Sequence, residues 1–295
     1  MTWRCTGIRW SSGGGPAVGW WAEGRGERTS PLAYGQLLAF AAQGERRCLG
    51  VRRAGKRTPC PTAAAVPVRS GNAQCAACAR LDRSFSVAAD TRAADPRTYR
   101  VYLAWFGPGL VKVGITAEER GPVRLLEQGA VAWAWLGRGP LMAARRTEEL
   151  LRAALGVPDR IPYARKRAVR ALLPAAAERA REVAELHARA AALPDRPESL
   201  EALACEVADH ASVFGLDGLP APARVVTAMA PGAVVAGRLA GAAGPDLHLA
   251  DGLVVDTRLL AGWELVAPDA GRTTDAPTAP AAALPDTAGG QDGLF

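Results

Sequence analysis

Long apolar runs are missing from this 295-residue chain, and it has few aromatic residues and only three histidines. No run approaches the roughly 18 apolar residues that span a bilayer. No apolar segment follows residues 1–5, so we expect a cytoplasmic protein without a secretory signal. Apolar residues nevertheless make up 49% of the chain, which allows a sizeable core and excludes global disorder.

Acidic residues are outnumbered. The chain has 36 Lys and Arg against 29 Asp and Glu, which gives a net charge of +7. This excess favours a polyanionic partner, mainly nucleic acid; the alternative is charge that serves solubility alone. The glycines at 13–15 lack both the strand-to-helix setting and the terminal Lys-Ser/Thr of a P-loop, so we expect no nucleotide site there.

Six cysteines are present, and in a reducing compartment they favour a metal site over disulfides. Cys48, Cys60, Cys75 and Cys78 include one CxxC pair, and four thiolates within about 30 residues can complete a tetrahedral zinc site. Four protein ligands leave no open position, so this zinc would be structural. The alternative is four unrelated cysteines. Cys5 and Cys205 are not part of the predicted zinc site, and we expect them to be small buried hydrophobic residues.

Pattern and composition divide the chain into six segments, which together predict an α+β protein. The segments are an N-terminal β segment (1–45), a cysteine segment (46–97), a sheet-and-helix domain (98–175), a helical segment (176–218), a small β-rich domain (219–267) and a disordered tail (268–295). The cysteine segment has few apolar side chains, so its folding would depend on the metal.

The sheet-and-helix domain begins with a predicted hairpin of residues 99–106 and 110–115, joined by a glycine-bearing turn. A short helix ending at Gly129, a third strand at 130–136 and a helix over 142–155 follow. One or two Ala/Arg-rich helices are predicted over 163–192, and another amphipathic helix over 197–213.

The order Tyr102, Lys112-Val113-Gly114, Arg124 and Glu148 resembles the GIY-YIG nuclease fold over about residues 98–170. That resemblance implies a small antiparallel sheet with flanking helices. It also implies that a tyrosine and a tyrosine or lysine lie on the hairpin, an arginine lies on the first helix, and a glutamate on a later helix binds Mg²⁺.

A closer resemblance covers most of residues 45–267. The stretches around Tyr102, Lys112 and Arg124, the Gln128-Gly129-Ala130 motif and the upstream cysteines are similar to an uncharacterised bacterial family, catalogued as domain of unknown function 2797. The downstream strand around Gly237–Gly241 fits the same family. This likeness implies a fold and a nuclease ancestry, but no established activity.

Given the resemblance, Lys112 would be the general base, and Tyr102 would position the water or share its proton. Arg124 would bind the scissile phosphate as a fork, and Glu148 would hold one Mg²⁺. Glu149 stays an alternative ligand; we prefer Glu148 because it shares a helix face with Leu151 and Leu155.

The sequence departs from the generic motif at several points, and ordinary structural roles compete with the catalytic ones. Arg100 replaces a glycine of the first motif, and no histidine lies beside Arg124. In the structural alternative, Tyr102 would be a packing residue and Lys112 would be a solvated charge. Arg124 and Glu148 would form a surface ion pair, worth at most about 1 kcal/mol.

Basic clusters add a predicted nucleic-acid face on the helices, made of Arg145, Arg165, Lys166, Arg167 and Arg170. Arg52-Arg53 with Lys56-Arg57 form a further basic cluster that could neutralise phosphates. The alternative is a solvated helix face. The leading hypothesis is Mg²⁺-dependent cleavage or processing of nucleic acid. The rivals are a non-catalytic nucleic-acid-binding protein, and an enzyme that performs different chemistry on a small substrate in the same cleft.

Overall fold

The computed structural model describes residues 2–53, 55–83 and 95–281. It has an α+β architecture of small, mainly antiparallel sheets with flanking helices, as the sequence predicted. The N-terminal part is a three-stranded sheet of β1 (Arg4–Ser11), β2 (Gly14–Ala22) and β3 (Gly26–Pro31) in that order. β1 and β2 form an antiparallel hairpin inside the predicted N-terminal β segment.

The described residues of the cysteine segment contain little regular structure. After β4 (Leu37–Gln43), the hairpin of β5 (Val51–Arg53) and β6 (Lys56–Thr58) lies between the first two cysteines. α1 (Ala76–Arg83) carries the last cysteine in its first turn. A small buried cluster consists of three of the cysteines together with Val51 and Val66. An apolar cluster this small needs an additional source of stability, such as a metal.

The central sheet has the strand order β10-β9-β7-β8, and β11 also pairs with β9. Its strands are β7 (Thr98–Gly107), β8 (Leu110–Ala117), β9 (Ala132–Pro140), β10 (Glu201–Ala202) and β11 (Ala208–Asp209). The associated helices are a 3-10 turn (Glu118–Arg120), α2 (Val123–Gln128), α3 (Leu141–Leu155), α4 (Tyr163–Val169) and α5 (Ala176–Ala191).

Helices cover both faces of this sheet. Leu125 of α2 and Val169 of α4 pack with Tyr102 and Phe106 on one face. Leu151 of α3 and Leu186 of α5 join a separate cluster with Val101 and Leu103 of β7 on the other face. Alternate residues of a strand point to opposite faces, so Tyr102 lies on the side of α2 and α4.

The C-terminal part begins with α6 (Ala211–Phe214) and forms a seven-stranded sheet in the order β16-β4-β13-β14-β15-β12-β17. Its strands are β12 (Arg224–Val226), β13 (Val234–Ala243), β14 (Asp246–Leu249), β15 (Leu253–Asp256), β16 (Glu264–Val266) and β17 (Thr278–Pro280). Strand β4 comes from the N-terminal segment and lies between β13 and β16. The six segment boundaries stay a prediction, but this strand joins the first segment to the fifth.

Two predicted elements are wrong. Residues 197–213 do not form one helix, because β10 and β11 pair with the edge of β9 and only α6 is helical there. The predicted disordered tail begins too early, since β17 pairs with β12 and the Asp275 carboxylate accepts a hydrogen bond from the Val234 amide at 2.6 Å. The rest of that predicted tail, residues 282–295, lies outside the described residues.

Candidate functional site

The hairpin of β7 and β8 places Tyr102 and Lys112 side by side. Tyr102 pairs with Gly114, and Lys112 pairs with Ala104, so both side chains lie on the face covered by α2 and α4. The Lys112 Nζ is 5.8 Å from the centroid of the Tyr102 ring. A Cβ at Gly114 would lie 2.3 Å from the Tyr102 hydroxyl. This glycine therefore gives the tyrosine ring its space.

Helix α2 presents Arg124 and Gln128 to the same face. The helix ends at Gly129, whose φ of 70° is the left-handed conformation that glycine adopts readily. Leu125 is fully buried and fixes the helix against the sheet. The Gln128 Nε2 donates a hydrogen bond of 2.8 Å to the Tyr102 hydroxyl. One side of α2 thus contacts the predicted catalytic tyrosine directly.

Lys166 of α4 belongs to this group of side chains, although the sequence pattern predicted it on a nucleic-acid face. Its Nζ donates to the Gln128 carbonyl oxygen at 3.2 Å and lies 3.9 Å from the centroid of the Phe106 ring. Burial lowers the pKa of Lys166 well below its usual value, and the positive charges of Lys112 and Arg124 lower it further. Lys112 and Arg124 are therefore each within electrostatic range of Lys166.

Glu148 reaches this group from the other side of the sheet. It lies on α3, and α3 packs against β8, the edge strand that carries Lys112. Burial raises the pKa of Glu148 to about 7, with Lys112 opposing the shift and Asp159 reinforcing it. The neighbouring Glu149 is exposed and accepts a 2.6 Å hydrogen bond from Arg152. Of the two glutamates, Glu148 is the one that interacts with Lys112.

Most of the group is covered. Tyr102 is 1% exposed, Lys112 4% and Arg124 8%, whereas Glu148 is partly exposed. Since α2 and α4 pack over Tyr102, a phosphate would contact the tyrosine and the lysine only after side chains of these helices move.

The predicted basic face on the helices is wrong for three of its five residues. Arg165 is exposed and Arg145 is partly exposed, but Lys166, Arg167 and Arg170 are buried. The last two form ion pairs with Asp246 at 2.7 and 2.6 Å.

These ion pairs belong to a larger charged cluster between α4 and the C-terminal sheet. Arg167 also contacts Asp256 at 2.7 Å, and Asp256 pairs with Arg258. Burial acts to raise the pKa of Asp246, but Arg167 and Arg170 outweigh it and hold the pKa well below its usual range. Both arginines stay paired with carboxylates inside the protein, so these guanidiniums cannot also bind phosphate without leaving Asp246.

The four predicted metal-binding cysteines come together. Ligand atoms of Cys48, Cys60, Cys75 and Cys78 all lie within 4.8 Å of one another, and the Cys60 and Cys75 sulfurs are 3.9 Å apart. Tetrahedral zinc with Zn–S bonds of about 2.3 Å needs sulfurs roughly 3.8 Å apart. The donor set and its spacing therefore fit a structural zinc.

Backbone groups support the same thiolates. The amides of Gly50 and Cys75 point at the Cys48 sulfur, at 3.4 and 3.2 Å. A hydrogen bond with the Thr62 hydroxyl is the largest of the causes that lower the pKa of Cys60, to about 6. These donors stabilise the charged form in which a cysteine binds metal. Of the two remaining cysteines, Cys5 is buried as expected and Cys205 is exposed.

A protein-family model matches residues 35–265, which is more than three quarters of the chain. It is described as a protein of unknown function (DUF2797). The chain belongs to the DUF2797 family. The DUF2797 match includes the cysteine cluster, the central sheet and most of the C-terminal sheet.

Comparison with other proteins gives the DUF2797 chain no further relatives: no curated protein and no solved structure matches it. Among the helices of the described residues, none has the length and apolar character needed to cross a membrane.

Proposed function

We propose that this DUF2797 protein cleaves nucleic-acid phosphodiester bonds in a Mg²⁺-dependent reaction, through Tyr102, Lys112, Arg124 and Glu148. One observation carries the proposal: Lys112 lies 5.8 Å from the Tyr102 ring and is within electrostatic range of Glu148 and of Lys166, and Lys166 is in turn within electrostatic range of Arg124. A phenol, amines, a guanidinium and a carboxylate are thus supplied by separate elements to one region.

Each residue has a role that its chemistry suits. Arg124 binds the phosphate oxygens through its planar fork. Tyr102, held by Gln128, orients the attacking water, and Lys112 in its neutral amine form accepts the proton of that water. The water oxygen forms the new bond to phosphorus as the bond to the leaving oxygen breaks. The leaving oxygen takes up a proton from solvent, and Lys112 later returns its proton to solvent.

Glu148 and the neighbouring Asp159 suit a Mg²⁺ ion. Burial raises the pKa of the Glu148 carboxyl, and the negative charge of Asp159 raises it further, so a cation bound there would favour the charged form. Mg²⁺ binds through one or two carboxylates and keeps several waters. When bound there, it would stabilise the negative charge that develops on the phosphate.

A second candidate is a non-catalytic protein that binds nucleic acid and retains this group for stability. The burial of Tyr102, Lys112 and Arg124 favours it, because an active site must admit its substrate. In that case Glu148 binds no metal, and the group contributes only to packing.

Incubation of the zinc-loaded protein with end-labelled DNA and RNA, with and without Mg²⁺, tests the two candidates. We expect Mg²⁺-dependent cutting that the variant Glu148→Ala loses. The matched control is Glu149→Ala, which removes an exposed carboxylate one residue away and should cut normally. Salt-sensitive binding without cutting supports the non-catalytic protein. If the protein neither binds nor cuts nucleic acid, both candidates are refuted and a small-molecule substrate is favoured.

A further inference from the structure

The positive charge of the chain is concentrated in one short stretch. Residues 46–83 contain nine Lys and Arg but a single Asp and no Glu, a net charge of +8. The whole chain carries +7, so all remaining residues together carry −1. Even with four thiolates and one Zn²⁺, which together add −2, this segment keeps a charge of about +6.

Most of these cations are on the surface. Arg53 and Lys56 face each other across the β5–β6 hairpin, and both are exposed. The Arg53 Nη2 donates to the Leu81 carbonyl oxygen at 3.3 Å, which brings the hairpin to the C-terminal end of α1. Arg80 and Arg83 are exposed at that end. We call Arg53, Lys56, Arg80 and Arg83 the basic surface.

The single acidic residue of residues 46–83 is Asp82, and it forms no ion pair with the basic surface among the described residues. The Asp82 carboxylate accepts a 2.8 Å hydrogen bond from Gln74 Nε2, and none of the ion pairs of the described residues joins it to a cation.

The other side of the hairpin also has too few acids. Arg9, Arg52 and Arg57 all approach the Glu27 carboxylate, at 3.9, 3.1 and 3.1 Å. After burial, the charge of Arg52 is the next cause that lowers the pKa of Arg9. Glu27 and Glu127 oppose this shift, but three guanidiniums share the Glu27 carboxylate, so the positive charge there exceeds the negative charge and an external anion would be stabilised.

We infer that the basic surface is the docking site for the sugar–phosphate backbone of nucleic acid. Exposed cations on both sides of a narrow hairpin and at an adjacent helix end match a partner with a row of negative charges. The cysteine cluster fixes this geometry, because the hairpin lies between Cys48 and Cys60, and α1 starts at Cys75 and Cys78. The inference differs from the proposed cleavage, since it involves none of the four residues of that site.

This location differs from the helical face that the sequence favoured. There, Lys166, Arg167 and Arg170 are buried, and Asp246 neutralises two of them. The exposed excess of cations lies instead on the cysteine segment.

Fluorescence anisotropy with labelled duplex and single-stranded DNA and RNA tests the inference. The zinc-loaded full chain is used with Glu148→Ala as background and no Mg²⁺, so that the result does not depend on cleavage. The test variant combines Arg53→Gln, Lys56→Gln and Arg80→Gln. The control combines Arg146→Gln, Arg181→Gln and Arg189→Gln on α3 and α5, which removes the same charge from other exposed arginines.

We expect the test variant to bind nucleic acid about tenfold or more weakly near 0.1 M salt, and the slope of log K against log salt to fall by about 2 to 3 on duplex DNA. The control should bind nearly as the parent protein does. Zinc content and the melting curve of each variant establish that it is folded.

Equal weakening in the test variant and the control would refute a localised surface, and so would no weakening in either. Preferential binding of the parent to phosphatidylglycerol vesicles over all the nucleic acids would refute the choice of partner. If the basic surface binds nucleic acid and no cutting is ever seen, this inference stands while the proposed cleavage fails.

Discussion

Asp246 is the residue whose loss should weaken the fold most sharply. Its carboxylate is fully buried, contacts Arg167 at 2.7 Å and Arg170 at 2.6 Å, and joins α4 to β14. The isosteric change Asp246→Asn keeps the volume but removes the charge. Arg167 would keep its contact with Asp256, whereas Arg170 would be left near His248 without a carboxylate.

Breaking a buried ion pair by removing one partner costs about 3–5 kcal/mol, because the other charge is left uncompensated. We expect a loss of that size in the free energy of unfolding, measured by urea denaturation followed by tryptophan fluorescence. The control is Asp251→Asn. Asp251 pairs with Arg224 at 3.0 Å, but both side chains are about half exposed, so the change should cost at most about 1 kcal/mol.

The difference between the parent and Asp246→Asn should depend on pH. The arginines hold the folded-state pKa of Asp246 well below its usual value of about 3.9. A depressed pKa stabilises the fold above the unfolded-state pKa, and this stability declines as the pH falls below that value and is lost as the pH falls through the lower folded-state pKa. His248, Asp256 and Arg258 also face this cluster, but they are unchanged in the variant. The difference should therefore narrow below about pH 4.

Equal stabilities of the two asparagine variants at pH 7 would refute this reasoning. So would a difference that stays constant from pH 7 to about pH 3, since the buried carboxylate would then not be the charged species that holds the arginines.

Three further predictions concern the cysteine segment and the candidate site. Purified protein should contain one zinc per chain by elemental analysis, and chelation should abolish protease resistance of residues 46–83. Gly50→Ala should release zinc more readily to a chelating dye, because Gly50 has a φ of 72° and the new Cβ would lie 2.0 Å from the Thr58 oxygen. Lys166→Met should raise the free energy of unfolding by about 1–3 kcal/mol, since it removes a buried amine whose contacts among the described residues are the Gln128 carbonyl and two aromatic rings, with no ion pair.

Each of these has its own check. Gly71→Ala is the control for Gly50→Ala, because a Cβ at Gly71 meets nothing within 4 Å, and equal zinc release from both variants would contradict the steric argument. If Lys166→Met instead lowers the free energy of unfolding, the contacts of the Lys166 side chain stabilise the fold by more than its burial destabilises it. A zinc-free protein with the same protease resistance would show that the segment folds without metal.

The sequence predicted the local elements well where short-range chemistry determines them. The β7–β8 hairpin follows from its glycine-bearing turn, and α2 ends where Gly129 adopts a positive φ. The cysteine spacing was enough to predict that the four thiolates meet. These features depend on neighbouring residues, so a local pattern describes them.

Local patterns could not predict ion-pair partners that are distant in the sequence. Lys166, Arg167 and Arg170 form a cationic stripe in sequence, and Asp246 and Asp256, which pair with the two arginines, lie more than 75 residues later. The spacing i, i+1 and i+4 does place all three on one helix face, away from the exposed Arg165. That spacing showed a shared face, but only the fold shows that the face is buried.

The same limit explains the helix wrongly predicted over residues 197–213. Its apolar spacing suits an amphipathic helix, but the edge of β9 offers hydrogen bonds to β10 and β11 instead. Gly137 assists this pairing, because a Cβ there would lie 2.8 Å from the Glu201 carbonyl oxygen. Tertiary pairing therefore overrides the local pattern.

The position of β4 between β13 and β16 has a consequence for synthesis of the chain. Its hydrogen-bonding partners begin at Val234 and Glu264, roughly 190 residues or more after β4 itself. On the ribosome, β4 emerges early and has neither neighbour until the last part of the chain follows, so both of its edges stay open to wrong partners in the meantime. Completion of the seven-stranded sheet is thus a late step, and a chain truncated before residue 234 would carry an orphan strand that invites aggregation.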